Sequence, residues 1–110
     1  MANTFKNSIS GSIGTSNTVV YTTPVATSTT VIGLSVANTS TNNINVSATL
    51  TSSGQAKTVY IVKNATIPTG GSVVLVGGEQ KIAMSANDTI SVVSSVASSV
   101  DVIVSVLEIS

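Results

Sequence analysis

Several residue types that support catalysis or covalent cross-linking are missing from this chain of 110 residues. It contains no cysteine, so no disulfide can cross-link the fold and no thiol can act as a nucleophile. It contains no histidine, the commonest general base and metal ligand at neutral pH. Tryptophan is absent too, and aromatic residues make up only 3% of the chain. These absences argue against an enzyme, and against a carbohydrate-binding module that stacks sugars on aromatic rings.

Charge is also scarce. Charged residues make up 7% of the chain, against about 25% in a typical soluble domain. The formal net charge is zero, so nothing steers the protein toward nucleic acid or an anionic membrane. Two interpretations remain: a soluble monomer coated with Ser, Thr and Asn, or a subunit whose faces are covered in an assembly. We favour the assembly, because exposed strand edges are usually guarded by charges and few are present here.

The acidic side chains do not form a catalytic pattern. Asp88 stands in a turn sequence, Asp101 is expected at the entry to a strand, and Glu108 is expected at the solvated end of the last strand. Glu79 follows a pair of glycines. A nucleophilic serine needs a base to activate it, and the chain offers only four scattered lysines. The sequence therefore predicts no enzymatic activity, no cofactor and no metal site.

Neither a membrane segment nor a secretory signal is predicted. No stretch reaches the roughly 18 consecutive apolar residues that a membrane helix needs. The first residues lack a basic region followed by an apolar core, as a secretory signal would have. We therefore expect a protein that is made and assembled in a cytoplasm.

The residues that are abundant favour β-structure. Valine, isoleucine and threonine supply 44 of the 110 residues, whereas there are only four leucines. Side chains branched at Cβ are stiff and pack well on a pleated sheet. Alternating or short apolar runs, separated by turn residues, predict a single antiparallel β-sandwich of about eight strands, with the jelly roll as one arrangement of this type. The predicted strands lie at 19–23, 29–38, 44–51, 57–64, 72–76, 79–84, 89–94 and 100–109.

An extended segment at 1–17 is expected to precede the sandwich domain at 18–110. Phe5, Ile9 and Ile13 are spaced by four, but the residues between them are poor helix formers. On a strand all three would share one face. The segment is therefore either a first strand on the core or an arm that reaches a neighbouring subunit, with Phe5 as its anchor.

The last predicted strand is apolar on both faces. Valines occupy the even positions from 100 to 106, and larger apolar side chains occupy several odd positions. A strand of this kind is either central in its sheet or at an interface. Combining its odd face with the N-terminal segment gives six candidate assembly contacts: Phe5, Ile9, Ile13, Ile103, Leu107 and Ile109.

A family likeness is carried by seven segments of the sequence: 19–24, 29–39, 60–65, 67–68, 74–81, 85–90 and 100–108. These segments resemble small β-rich virion structural proteins of tailed phages, notably those of cyanobacteria. The likeness covers roughly residues 19–108 and includes no catalytic signature.

The resemblance implies a component of a virus particle. Such proteins include capsid decoration (cement) proteins and subunits of the neck, tail or fibre, and they are often trimeric. We expect a decoration protein that binds the major capsid protein lattice at the virion surface and bridges its subunits. The alternative is a neck, tail or fibre component, such as an adhesin.

Overall fold

A computed structural model of the protein describes residues 3–77 and 81–110. These residues form nine β-strands and no helix, which confirms the predicted all-β fold. Gly78 and Glu79, and with them the start of the strand predicted at 79–84, lie outside the described residues. The strands are β1 (Asn3–Ile13), β2 (Thr18–Thr22), β3 (Ser28–Asn38), β4 (Ile44–Ser52), β5 (Lys57–Ile67), β6 (Ser72–Val76), β7 (Ile82–Met84), β8 (Thr89–Ser94) and β9 (Val100–Ile109).

The strands pair antiparallel and form two sheets. Sheet A has the order β1-β9-β3-β6, and the short β7 pairs with another part of β3. Sheet B has the order β2-β8-β4-β5. Of the connections between consecutive strands, only β4–β5 and β6–β7 stay within one sheet. The predicted sandwich is thus confirmed, and its strand order, which spacing alone did not provide, is that of a jelly roll.

The core fills the space between the sheets with small branched side chains. Along β9, Val100, Val102, Val104 and Val106 are at most 1% exposed, whereas Ile103 is 50% exposed. This alternation confirms the predicted division of the last strand into two faces. All nine strands contribute buried apolar side chains, so the two sheets enclose a single core.

One extra residue in β1 changes the direction of its last side chain. Ser10 lies opposite Val102 and Ile13 lies opposite Val100, so three steps along β1 match two along β9. Ser12 takes the left-handed conformation, with a φ of 56°. Such a β-bulge re-aims the side chains that follow it. Here it turns Ile13 into the core.

Two of the predicted turns have the geometry that their residues indicate. Gly70 has a φ of 73°, and the Gly71 N–H donates a 2.9 Å hydrogen bond to the Pro68 carbonyl oxygen. Asp88 is buried and accepts a hydrogen bond from the Ser85 N–H, at 2.9 Å. Its carboxylate therefore stabilises the turn between β7 and β8, in the structural role predicted for it.

Replacing Gly70 by alanine should destabilise the fold through backbone strain alone. A Cβ at Gly70 would meet no atom within 4 Å, so steric overlap with neighbours contributes nothing. The left-handed conformation costs an L-residue about 1 kcal/mol, and we expect Gly70→Ala to lower the free energy of unfolding by that amount in urea denaturation. Gly54→Ala is the matched control, because its Cβ is equally free and its φ is not positive. Equal losses in both variants would contradict this account.

Candidate assembly surface

The outer face of sheet A carries large apolar side chains on β1 and β9. Phe5 pairs with Leu107, Ile9 pairs with Ile103, and Ile109 lies on the same face beyond Leu107. Phe5 and Ile9 are 75% and 72% exposed. We call these five side chains the apolar patch. They are five of the six assembly contacts predicted from the sequence, and the fold brings them together from the two ends of the chain.

The sixth predicted contact, Ile13, lies elsewhere. It is 4% exposed and belongs to the core, so the prediction that it shares a face with Phe5 and Ile9 is wrong. The cause is the bulge at Ser12, whose N–H donates a hydrogen bond to Asp101 Oδ1 at 3.1 Å. Residues 3–13 as a whole lie in sheet A, as the strand at its edge. A role for this segment as an arm toward a neighbouring subunit stays a prediction.

A row of small side chains divides the outer face of sheet A into two ridges. Asn7, Ser105 and Gly33 lie side by side on β1, β9 and β3, and we call this row the furrow. Residues two apart on a strand are separated by roughly 7 Å, so the ridges on either side of the furrow stand roughly 13 Å apart. One ridge contains Phe5 and Leu107, and the other contains Ile9, Ile103 and, across Ser35, Val74.

Sequence reasoning missed Val74, which is 68% exposed. It lies in β6, within an unbroken apolar run that gives no indication of which positions face outward. Pairing with Ser35 of β3 places it at the end of the second ridge. No signal in the sequence could have identified it, because its orientation depends on the pairing of two distant strands.

Charge is nearly absent from this outer face. Among its described residues, Asp101 alone is charged, and it lies at one end beyond Ile103. A shallow groove at this end is lined by Ile9, Ser10, Gly11, Asp101, Val102 and Ile103. The ridges and the furrow are therefore uncharged.

The outer face of sheet B has a different chemistry. A row of four threonines crosses all four of its strands, and the hydroxyl oxygens of Thr51 and Thr58 are 2.9 Å apart. Hydroxyl groups exchange hydrogen bonds readily with water. The same face also exposes Val19 and Tyr60, at 54% and 56%, but Ser91 and Thr49 lie between them. Its apolar side chains are therefore separated, unlike the adjacent pairs on sheet A. The row consists of Thr22, Thr89, Thr51 and Thr58.

Glu108 was expected at a solvated strand end, and this expectation is wrong. Its side chain points between the sheets and only 9% of the residue is exposed. The Tyr21 hydroxyl donates a hydrogen bond to Glu108 Oε2 at 2.6 Å, and Lys6 Nζ lies 3.4 Å from Oε1. Because Tyr21 has only one proton to donate, the Thr29 hydroxyl, 2.8 Å away, donates to Tyr21. The sequence did contain a signal for this burial: Glu108 has an even number, as do the inward-facing valines of β9.

This buried cluster changes the acidity of Tyr21. Burial, together with the hydrogen bond to the Glu108 carboxylate, raises the pKa of the phenol from 10.0 to about 12. The cluster thus favours the neutral form of Tyr21. It fixes one end of the sandwich and exposes no reactive group.

The described residues contain no group of three or more His, Cys, Asp or Glu that could hold a metal ion. In the same part of the chain, no helix is long and apolar enough to cross a membrane. Among the features of residues 3–77 and 81–110, the outer face of sheet A is therefore taken as the candidate functional surface.

Comparison with known proteins gives structural matches only. No protein-family model matches the chain, and no curated protein matches its sequence. A similar structure comes from work on Bacillus endospore appendages, which form disulfide-linked pili. It has a TM-score of 0.58 and 14% identity, and the match covers 96% of this chain and 86% of that one.

Two chains from virus particles have the same fold. One belongs to the T13 IBDV viral particle, with a TM-score of 0.55 and 12% identity. The other belongs to the Gx strain of infectious bursal disease virus, with a TM-score of 0.53 and 12% identity. Both matches cover 96% of this chain but only 35% and 36% of the virus chains. At such low identity, these similarities show a shared fold.

Removing the Tyr21 hydroxyl should destabilise the protein. In Tyr21→Phe the buried Glu108 carboxylate loses its shortest hydrogen bond, at a cost of about 2 kcal/mol. Urea denaturation at neutral pH measures this loss in the free energy of unfolding. The control is Tyr60→Phe, because Tyr60 is 56% exposed and a surface change of this kind costs less than about 0.5 kcal/mol. Similar losses in the two variants would contradict the proposed role of the cluster.

The raised pKa of Tyr21 also predicts a dependence of stability on pH. The folded protein holds the phenol proton more tightly than the unfolded chain does, since the pKa rises from 10.0 to about 12 on folding. The resulting stability is fully present below pH 10 and is lost as the pH rises toward 12. Thermal melts over this range should show the decrease, and Tyr21→Phe should reduce its slope. An unchanged slope in the variant would assign the decrease to other groups.

Proposed function

We propose that this protein is a virion structural subunit, and that it decorates a capsid by binding the major capsid protein lattice and bridging its subunits. The observation that carries the proposal is the outer face of sheet A, where Phe5 and Ile9 are exposed among almost no charges. Contiguous exposed apolar surface of this kind marks interaction sites in soluble proteins. In an assembly such a face is buried against a partner, whereas in a free monomer it stays exposed to water.

The resemblance to small phage virion proteins supports this proposal. It implies an oligomer, with a trimer as the expected form, and a location at the capsid surface after assembly in the host cytoplasm. The zero net charge and the low charge content support a partner made of protein instead of nucleic acid or membrane. The absence of cysteine means that contacts of this chain with its partners are non-covalent or use other chemistry than disulfides.

A neck, tail or fibre subunit is the second candidate. One observation favours it: the match to the pilus structure covers 86% of that chain, so a module of about this size has the same fold in a fibrous appendage. That protein is described as disulfide-linked, and this chain has no cysteine with which to copy such linkage. A fibre built from it would depend on the packing of its faces.

The capsid proposal predicts saturable binding to assembled, undecorated capsids. The purified protein should sediment with capsids, and decorated capsids should withstand a higher temperature before they release their contents. Light scattering measures the binding to capsids. A dye that reports released nucleic acid measures the temperature at which the capsids release their contents. Heat-denatured protein at the same concentration serves as the control for nonspecific trapping.

Binding to tails instead of capsids would contradict decoration and support the second candidate. Immunogold labelling of whole particles separates the two. Label spread over the entire capsid supports decoration, whereas label confined to one vertex or to the tail supports a neck, tail or fibre subunit. Absence of the protein from purified particles would overturn both.

A further inference from the structure

We infer that the apolar patch packs against the same patch of further copies of this chain, around the symmetry axis of a homo-oligomer. The inference rests on the proposed assembly role and names the partner of one face. The patch consists of Phe5, Ile9, Ile103, Leu107 and Ile109, on the outer face of β1 and β9.

The charge distribution favours a second copy as the partner. At the axis of a symmetric oligomer, the same surface is presented by each subunit, so any charge there meets its own like charge. The ridges and the furrow carry no charge, and Asp101 lies at the periphery of the face. A different protein could be attracted by complementary charges, but the apolar patch offers none.

The furrow gives the face a shape that a copy of itself can fill. Asn7, Ser105 and Gly33 form a depression between two apolar ridges that stand roughly 13 Å apart. A ridge from a neighbouring copy can enter this depression, since interdigitating side chains are how two sheets pack face to face. The same surface thus supplies both the projecting and the receiving part of a contact.

Gly33 leaves the middle of β3 without a side chain. The pairing of β3 with β9 is irregular between Val31 and Gly33, and a glycine inside a strand often marks such a bulge. A Cβ built on Gly33 would meet only the Val76 carbonyl oxygen, at an ordinary 3.7 Å. The bulge accounts for the glycine within the chain, and the open space above it is available to a neighbouring copy.

The exposed area of the apolar patch is of the order that a stable interface between two subunits needs. Phe5, Ile9 and Ile103 are 75%, 72% and 50% exposed, and Leu107 and Ile109 are partly exposed. With large side chains contributing on the order of 200 Å² each, the patch exposes on the order of 500 Å² of apolar surface. A stable interface buries roughly 800 Å² per partner, which the patch reaches together with its polar neighbours on the same face.

The edge strand of sheet A also indicates that the contact between copies lies on this side of the molecule. β1 is an edge strand of eleven residues with a single lysine, Lys6, and that side chain reaches Glu108. By contrast β5, the equally long edge strand of sheet B, carries two lysines, Lys57 and Lys63. Each strand contains one residue in the left-handed conformation, Ser12 in β1 and Asn64 in β5, so the difference between the two edges lies in their charge. Lysines protect edges from unwanted pairing, and the edge with fewer of them is the one beside the apolar patch.

The mass of the protein in solution tests the inference without any capsid. Sedimentation velocity over a range of concentrations should give a closed oligomer, a multiple of the 11.0 kDa chain. Ile103→Lys places an ammonium group at the axis and should raise the dissociation constant on the order of 100-fold. Val19→Lys is the matched control: Val19 is 54% exposed on the outer face of sheet B, and its substitution should leave the mass unchanged.

A second variant keeps the test independent of any loss of folding. Gly33→Thr adds a β-branched side chain whose Cβ would meet only the Val76 carbonyl oxygen, at 3.7 Å, so the subunit should keep its fold, which its unfolding temperature measures. By filling the furrow it should nevertheless weaken association. A monomeric wild-type protein at all concentrations, or an unchanged mass for both Ile103→Lys and Gly33→Thr, would overturn the inference.

The same variants separate this inference from the proposed function. If the wild type forms oligomers through the patch but does not bind capsids or other virion parts, the inference stands and the proposed function fails. If the wild type is monomeric and binds capsids, and Ile103→Lys abolishes that binding, the patch faces the capsid. In that case the proposed function stands and the inference is overturned.

Discussion

The pairing of β9 in the middle of sheet A is the constraint on which the rest of the structure depends. This strand lies between β1 and β3, and successive side chains along it point to opposite faces. Its even-numbered valines fill the core, so Ile103, Leu107 and Ile109 must lie outside. Moving the register by one residue would exchange the two sets. The core and the apolar patch are therefore two consequences of one alignment.

The buried cluster around Glu108 belongs to the same alignment. A carboxylate between two sheets is costly unless it is hydrogen-bonded and paired with a positive charge. Tyr21 of sheet B and Lys6 of β1 supply both partners. In a shifted register the carboxylate would leave Tyr21, so the cluster penalises wrong pairings of β9. We interpret the cluster as a set of contacts that makes the register of β9 specific, at the end of the sandwich where Tyr21 of sheet B meets Glu108 of sheet A.

The proposed function depends on one face of the fold and not on the fold itself. Pilus and virus-particle chains with 12–14% identity have the same architecture, and one fold supports many functions. What distinguishes this chain is the contrast between its two outer faces. Sheet B presents a row of threonine hydroxyls and two separated apolar side chains, Val19 and Tyr60, whereas sheet A presents adjacent apolar pairs that include Phe5 and Ile9, with almost no charge. In a chain with so few charges, this contrast is the clearest indication of which surface is covered.

The sequence by itself determined the all-β class, most strand positions, the two faces of β9 and five residues that share one surface. These follow from local rules, because branched side chains and a period of two are visible along a single strand. Tertiary structure alone decided the jelly-roll order, the outward direction of Val74, the inward turn of Ile13 and the partners that bury Glu108. Each depends on pairing between segments far apart in the chain, and on one extra residue at Ser12 that no local pattern reveals.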